Sequence, residues 1–331
     1  MQAKAGTTLK NPLPVIDGHV DLVYSMMRFS PTSPFSSLTG GPVTPETLRA
    51  GNVRLIVGAF YCADLHNGSE TATSHLESLY AFGRKMLEGL TPVMTKEDLA
   101  NVYDGHGTPG ILYLLENADA LVDADIGYWQ ALGIRVVGLT HAGENRIGSG
   151  NGVKTPGGFS AEGRRVVAEL DRLGMVIDVA HLSDPCFREL TGIFSGPLIS
   201  SHTGFRRFCN LPRNLSDRQV RGLIERGGMI GVSVNPEMLA MDQRAGLSQV
   251  FEQIDWLVQQ YGDNPVALGT DFGGFDIAAD GLENPGRLPA LSRLMHESGY
   301  SLSAIENIMG KNWYRFYEAI LPVTPPGFPP F

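Results

Sequence analysis

Cysteine is scarce in this sequence. The chain has 331 residues but only three cysteines. A small and odd number of cysteines does not suggest a framework of disulfide bonds, and it is typical of proteins from a reducing compartment. We therefore expect a cytoplasmic protein whose thiols are free, namely Cys62, Cys186 and Cys209.

Long hydrophobic runs and clusters of positive charge are missing as well. No apolar run reaches the roughly 18 residues that a membrane span needs, and residues 1–14 lack the apolar segment of a secretion signal. The formal net charge is −9, and no basic patch interrupts it. Such a chain repels the phosphates of nucleic acids and of anionic membranes. We expect neither kind of partner.

Short apolar runs, by contrast, recur along the whole chain. Apolar residues make up 43% of the sequence, which is enough for a large core. Eight runs are bounded by Gly, Pro or Asn and are almost continuously hydrophobic, as are strands buried on both faces of a parallel sheet. The eight predicted strands are Leu13–Asp17, Val53–Tyr61, Gly110–Leu115, Ile134–Thr140, Met175–Ala180, Pro197–Ser201, Met229–Val234 and Val266–Thr270.

Most of these runs are separated by segments that carry helix signals. Ser160 and the capping box at Ser216 each precede apolar residues with helical spacing, and Ser248 opens a third such stretch. Eight strands that alternate with helices favour an α/β fold, the (β/α)8 or TIM barrel, although an open doubly wound sheet has the same pattern. We expect one domain over residues 1–331, with a proline-rich C-terminal arm at about 321–331.

Polar residues that can bind metals follow the predicted strands, where parallel barrels build their active sites. The first strand leads into His19 and Asp21, whose two-residue spacing in an extended chain points both side chains to one side, toward one cation. Glu116 follows the third strand. A carboxylate there can bridge two cations through its two oxygens, although a surface glutamate at the start of a loop is an equally good interpretation.

Histidines follow the next three predicted strands. A single histidine after a strand is more often structural than a ligand, but three in succession, together with His19, predict a metal site. Asp271 follows the last strand and is placed to orient a water or to carry its proton; its alternative is a helix N-cap. The three histidines are His141, His181 and His202.

Arg213 lies in the loop after the sixth predicted strand. A guanidinium at the mouth of a barrel can bind a carboxylate through two hydrogen bonds. Taken alone, however, it is a solvated surface arginine.

The ordered set of these motifs resembles the renal (membrane) dipeptidase family, which are binuclear zinc peptidases of the metal-dependent hydrolase barrel type. The resemblance covers nearly the whole chain, and no single motif would be sufficient. One departure is Asn117-Ala118 after Glu116, where relatives usually have glycine. The matching segments are Asp17–Asp21, Glu116, Leu139–His141, Asp178–His181, Ser201–Thr203 with Arg213-Asn214, and Gly269–Phe272.

The resemblance implies a site with two divalent metal ions, expected to be Zn²⁺. His19 and Asp21 would hold the first metal, His181 and His202 the second, and Glu116 would bridge both. A hydroxide between the metals would then attack the peptide carbonyl of a dipeptide. Since relatives commonly form dimers, a homodimer is also expected.

The remaining roles are assigned on the same resemblance. Asp271 matches the acid that handles the proton of the water, and His141 matches the histidine that stabilises the oxyanion. Arg213 matches the group that binds the C-terminal carboxylate of the substrate. Asn145, in the long Gly/Ser-rich loop after His141, is a further candidate for substrate binding.

Two other functions fit the same ligands. These barrels share metal chemistry while their loops choose the substrate, so a lactam, lactone or cyclic amide is an alternative to the dipeptide. A non-hydrolytic binding or biosynthetic descendant of the fold is the alternative of a different class. For the dipeptidase, bacterial-type relatives indicate that L-Xaa-D-Xaa substrates belong in any test.

Overall fold

One parallel sheet forms the centre of the protein. The computed structural model describes residues 12–324. The strands are hydrogen-bonded in the order β2-β1-β9-β8-β7-β6-β5-β4-β3, and a further pairing between β2 and β4 closes the ring. The bounds are β1 Val15–Val20, β2 Val53–Tyr61, β3 Thr91–Pro92, β4 Gly110–Glu116, β5 Ile134–Gly138, β6 Val176–Asp178, β7 Leu198–Thr203, β8 Met229–Val232 and β9 Val266–Leu268.

The predicted eight-stranded barrel is confirmed. Each predicted run overlaps one strand of the ring, and β2 pairs with β4 from Leu55↔Gly110 to Tyr61↔Glu116, which excludes the open sheet. The ninth strand, β3, was not predicted because it has only two residues. It pairs with β4 from outside the ring, so it adds no polar rim residue to the barrel.

Helices connect the strands and cover the outside of the ring. Ser160 and Ser216 cap their helices as predicted, whereas the helix expected to open at Ser248 begins one residue earlier, with Gly246 as its N-cap. The helices of the described residues are α1 Leu22–Phe29, α2 Pro45–Ala50, α3 Ala72–Met86, α4 Lys96–Tyr103, α5 Ile126–Ala131, α6 Ala161–Arg172, α7 Asp184–Ile193, α8 Asp217–Ile224, α9 Pro236–Leu239, α10 Leu247–Tyr261, α11 Pro289–Glu297, α12 Leu302–Glu306 and α13 Asn312–Ile320.

Helix α13 supplies part of an apolar core that also includes side chains from most of the strands. Trp313 and Tyr317 are fully buried and belong to the same apolar cluster as Ile16 of β1. The indole Nε1 of Trp313 donates to the carbonyl of Leu268 at 2.7 Å. Gly18 leaves room for this ring, because a Cβ there would lie 2.5 Å from it. The core is thus closely packed beside β1.

Two further predictions concern the C-terminal arm and membrane-spanning helices. Most of the predicted C-terminal arm, residues 325–331, lies outside the described residues. Among residues 12–324, no helix combines the length and the apolar character that crossing a membrane requires.

Candidate active site

Glu116 lies between the other predicted metal ligands. It is the last residue of β4 and is buried. Its Oε2 is 3.7 Å from Nε2 of His19, while its Oε1 is 3.1 Å from Nε2 of His181 and 3.9 Å from Nε2 of His202. One carboxylate oxygen therefore faces the ligand from β1, and the other faces the ligands that follow β6 and lie in β7.

Two groups of side chains converge around this carboxylate. His19, Asp21 and Asp271 bring one ligand atom each within 4.8 Å of one another, and so do Glu116, His181 and His202. The first group ends β1 and follows β9, which are neighbours in the ring. Parallel strands end at the same rim, so residues far apart in sequence meet there.

The acidic group fits a divalent cation. Asp21 occupies the N-cap position of α1 but its side chain does not cap the helix. Its Oδ1 and the Nε2 of His19 are buried and have no hydrogen-bond partner among the described residues. A cation bound between these two buried atoms would give both of them a partner. Carboxylate oxygens together with imidazole nitrogens suit zinc and similar metals.

The charges around His19 lead to the same conclusion. Burial raises the pKa of Asp21, and the neighbouring Glu116 raises it further. Burial likewise raises the pKa of Asp271 well above its usual range, and Asp21 adds to this effect. Burial alone would lower the pKa of His19, but Glu116 and Asp21 raise it to about 10. This group of carboxylates therefore favours a positive charge.

The histidines on the other side have the opposite tendency. Burial, followed by the charge of Arg213, keeps the pKa of His181 well below its usual value. Burial and the nearby His19 do the same for His202. Both imidazoles are therefore neutral near pH 7, which is the form that binds a metal.

Three residues of the site have an unusual backbone conformation. His181, Asp271 and Asn117 have φ angles of 63°, 69° and 71°. Residues other than glycine rarely adopt positive φ, and such positions cluster at functional sites. Asparagine tolerates this conformation better than most residues other than glycine, so Asn117 can occupy the position where the family resemblance led us to expect glycine. Asp271 does not cap a helix, which removes its structural alternative.

A cleft of about 760 Å³ opens above the ligands. Part of its lining comes from the long loop after β5, at Ala142 and at residues 151–154. The long loop after β5 therefore lies at the mouth of the barrel, as predicted. Other lining residues are Tyr24, Tyr61, His141, Arg213, Asn235 and Met238.

Arg213 faces this cleft without an acidic partner. Its Nη2 donates to the backbone carbonyl of His202 at 3.2 Å, which places the guanidinium beside the ligand group. No carboxylate of residues 12–324 forms an ion pair with it within 4 Å. Its pKa is lowered by burial, so a bound carboxylate would relieve the cost of holding this charge in the cleft.

His141 forms another side of the cleft, and its orientation is fixed by a residue that the sequence did not reveal. Nδ1 of His141 lies 3.2 Å from Oδ2 of Asp64, and the same oxygen accepts a hydrogen bond from the backbone of Gly143 at 2.9 Å. The ring of Tyr61 packs edge-on against the imidazole. The free side of His141 is thereby directed away from Asp64.

Asn145 requires a correction. Its Nδ2 donates to Asn117 Oδ1 and to the carbonyl of Leu139, both at 2.8 Å. Its Oδ1 accepts from the backbone of Ile147 and Gly148. The whole amide is used inside the protein, and Asn145 is not among the residues that line the cleft. It shapes the loop after β5 and braces Asn117 instead of binding substrate.

Two further polar residues were given no role from the sequence, although Asp178 stands in one of the matching segments. Nδ2 of Asn235 donates to Oδ2 of Asp271 at 3.1 Å and holds that carboxylate. Asp178 accepts from the hydroxyl of Ser201 at 2.5 Å. Both carry the signal that identified the ligands, a polar residue at or just beyond the end of a strand. Their partners lie in other strands or loops, so the signal alone gives no role.

Comparison with known proteins assigns the family. A family model described as membrane dipeptidase (peptidase family M19) matches residues 3–324. The chain belongs to the membrane dipeptidase family. This match confirms the predicted family. The predicted function, a metal-dependent dipeptidase, agrees with the family. Lactam or lactone hydrolysis and a non-hydrolytic role are not favoured.

Curated relatives of this chain include an uncharacterised protein and dipeptidases. A Klebsiella pneumoniae protein named "Uncharacterized protein in pqqA 5'region" is 31% identical over 59% of this chain and 76% of its own length. Dipeptidase aclJ of Aspergillus oryzae is 29% identical over 56% of this chain, and the match spans only 45% of that relative. Several of the curated relatives are therefore matched over less than half of their length.

Solved structures support the fold. A metallopeptidase from Rhodobacter sphaeroides, liganded with a phosphinate mimic of the dipeptide L-Ala-D-Ala, superposes with a TM-score of 0.84. It is 22% identical, and the match covers 94% of this chain and all of that one. At this identity the likeness shows that both chains form the same barrel.

Proposed function

We propose that this site hydrolyses the peptide bond of dipeptides with the help of two divalent cations. The observation that carries the proposal is the position of Glu116, whose two oxygens face two separate groups of ligand atoms. His19 and Asp21 would hold one cation, and His181 and His202 the other. When bound, such a pair supplies Lewis acidity toward a carbonyl and a nucleophile at neutral pH.

The chain's own residues provide the proton transfer. Asp271 is buried and its pKa is raised, so it can accept a proton from the attacking water and return it to the leaving amine. Asn235 fixes one oxygen of this carboxylate, which leaves the other, Oδ1, on the side of His202. General acid and base chemistry needs a group fixed in this way within reach of the reacting atoms.

Two side chains of the cleft bind the substrate. Arg213, which has no acidic partner among the described residues, would bind the C-terminal carboxylate through two charge-assisted hydrogen bonds. His141, held by Asp64, would donate a hydrogen bond to the carbonyl oxygen as negative charge develops on it. A requirement for a free carboxylate close to the scissile bond restricts the substrates to very short peptides.

The stereochemistry of the second residue is part of the proposal. The Rhodobacter sphaeroides neighbour is liganded with a mimic of L-Ala-D-Ala. We expect this chain to accept L-Xaa-D-Xaa dipeptides alongside L-Xaa-L-Xaa dipeptides. The apolar cleft residues Tyr24, Tyr61 and Met238 suit small apolar side chains.

Hydrolysis of a dipeptide panel tests the function. Purified protein reconstituted with Zn²⁺ should release free amino acids from members of both stereochemical sets, and dialysis against a chelator should abolish the reaction until metal is restored. The matched control is a dipeptide amide, which lacks the carboxylate for Arg213 and should react poorly. An intact panel with two metals bound per chain would overturn the proposal.

Three finer points belong to the same proposal. We expect zinc in the isolated protein, which elemental analysis by mass spectrometry measures as metal per chain. We expect a homodimer, which analytical ultracentrifugation distinguishes from a monomer. We also expect a cytoplasmic protein, since all three cysteines are free and buried, and cell fractionation tests the location.

A further inference from the structure

One hydroxyl group contacts a predicted ligand of each metal position. Ser201 lies in β7 and is fully buried. Its Oγ is 3.0 Å from Nδ1 of His19, 2.9 Å from Nδ1 of His202 and 2.5 Å from Oδ2 of Asp178. The two histidines come from β1 and β7, and their rings lie 3.8 Å apart between centroids.

The capacity of a hydroxyl fixes the direction of these three hydrogen bonds. A serine has one proton to donate and two lone pairs that accept. An ionised carboxylate only accepts, so the proton of Ser201 goes to Asp178. The oxygen then accepts one N–H from His19 and one from His202. Both imidazoles therefore carry a proton on Nδ1, which leaves Nε2 of each ring, on the side of Glu116, as the atom that would bind a metal.

Close packing keeps Ser201 in place. Asp178 accepts the backbone N–H of Ser201 at 2.8 Å through its second oxygen. Gly231 and Gly269 lie against the carbonyl of Ser201, where a Cβ on either would come within 2.0 Å or 1.7 Å of that oxygen. The backbone of the serine therefore cannot shift along the strand without moving its neighbours.

The same geometry excludes a third metal position. His19, Asp178 and His202 also place ligand atoms within 4.8 Å of one another. The hydroxyl of Ser201 lies at hydrogen-bond distance from all three of these side chains. The centre of this cluster is filled by an oxygen of the protein, so it organises hydrogen bonds and holds no ion.

We propose that Ser201 is a positioning residue shared by both metal positions, because its single hydroxyl sets the tautomer and the orientation of one histidine ligand of each. The inference rests on the two-metal centre proposed above. A partner that serves only one ligand would affect one metal when removed. Loss of Ser201 should weaken both together, by about 10- to 100-fold each, the range typical of groups that orient metal ligands.

The neighbouring serine provides a matched control. Ser200 is also buried, but its hydroxyl has no hydrogen-bond partner among the described residues. We would measure Zn²⁺ binding to the purified variants Ser201→Ala and Ser200→Ala by competition with a chromophoric chelator. Ser201→Ala should raise both dissociation constants about 10- to 100-fold. Ser200→Ala should bind two equivalents with the affinity of the wild type.

The tautomers can be read directly in the unmodified protein. Long-range ¹H–¹⁵N correlation spectra of the metal-free protein should show His19 and His202 protonated on Nδ1. In Ser201→Ala the His202 ring, whose lowered pKa keeps it neutral, should populate the Nε2–H form, while Ser200→Ala should match the wild type. A loss of packing alone would leave the tautomers unchanged. If Ser201→Ala does not fold, the wild-type spectrum still decides, since the absence of a proton on Nδ1 of either ring overturns the inference.

The failures of the two proposals are distinguishable. If the wild type binds fewer than two equivalents of Zn²⁺, the two-metal centre is wrong. If the wild type binds two and Ser201→Ala binds two with unchanged affinity, the centre stands and the role of Ser201 is wrong. A weakening of only one of the two equivalents also contradicts a shared role.

Discussion

The two sides of the proposed metal centre differ in charge. The acidic half consists of His19, Asp21 and Asp271, and the imidazole half consists of His181 and His202. Burial raises the pKa values of both aspartates, and the charge of Glu116 adds to this for Asp21, as the charge of Asp21 does for Asp271. Burial lowers the pKa values of the histidines in the imidazole half. One half therefore attracts a cation by charge, and the other offers neutral nitrogen lone pairs.

For the two cations proposed above, this difference predicts unequal metal preferences. Carboxylate ligands suit harder cations such as Mn²⁺, while imidazoles suit zinc, copper and nickel. Glu116 contributes one oxygen to each half and is the residue that makes a single centre of them.

The largest effect is expected when Glu116 is changed. Glu116→Gln removes the negative charge shared by both halves and leaves the shape of the side chain nearly the same. We expect fewer than two metals per chain and a loss of kcat/KM on the order of 10³-fold or more, because several kcal/mol of charge stabilisation disappear. Elemental analysis and dipeptide kinetics measure both. Glu144→Gln, the same change at an exposed loop residue, is the control and should alter neither.

The second effect, at Asp271, distinguishes a role in proton transfer from a role in metal binding. Asp271→Asn keeps the size of the side chain but removes its capacity to accept a proton. We expect kcat to fall by about 10²- to 10⁴-fold, the contribution of general acid–base catalysis, with two metals retained. Loss of one metal would instead make Asp271 a ligand of the acidic half and contradict its assignment as the proton carrier.

The third effect concerns Arg213, whose guanidinium lies next to the imidazole half. Arg213→Met retains much of the apolar bulk but cannot bind a carboxylate. Hydrogen bonds to charged groups contribute about 1.5–3 kcal/mol, so KM for dipeptides should rise about 10- to 100-fold. A dipeptide amide should be hydrolysed equally poorly by both proteins. An unchanged KM for the free dipeptide would exclude the proposed contact.

The smallest effect is a pH dependence of the melting temperature, which the ion pair between Asp184 and Arg206 should cause. Asp184, at the start of α7, accepts two hydrogen bonds from Arg206 at 2.6 and 2.7 Å, and these hydrogen bonds lower its pKa. A lowered pKa contributes stability above the unfolded value of about 3.9, and this is lost as the pH falls through the folded value. Asp184→Asn should therefore melt on the order of 1–2 °C lower at pH 6.

The control for this last prediction is the pH range itself. The melting curves of wild type and Asp184→Asn, followed by circular dichroism, should converge as the pH falls below the lowered pKa of the folded state, where the aspartate is protonated in both states. A difference that persists unchanged at low pH would mean that the substitution acts through packing instead of charge.

The strands and the ligands could be predicted from the sequence because their signals are local. A buried parallel strand is a continuous apolar run, and a residue such as His181 or Glu116 stands directly after such a run. The two-residue strand β3 has too few residues to form a pattern. The start of α10 was misplaced because Gly246 caps it with no side chain of its own, while Gln249 reaches back to its N–H.

The supporting contacts could not be predicted because they join distant parts of the chain. Ser201 stood within a recognised motif, but its partner His19 is 182 residues away. Asp64 and His141 are separated by 77 residues. Which oxygen meets which nitrogen depends on the closure of the barrel, and for Asn145 the same lack of information produced a wrong role.

Trp313 has a consequence for the order of assembly during synthesis. The indole fills the space left by Gly18, so the segment with the earliest ligands of the chain, His19 and Asp21, lacks its packing partner until α13 has emerged from the ribosome. Domains of this kind fold as units. A nascent polypeptide that ends before this helix should therefore lack the packing that holds His19 and Asp21 in place, and it should bind the proposed cations poorly.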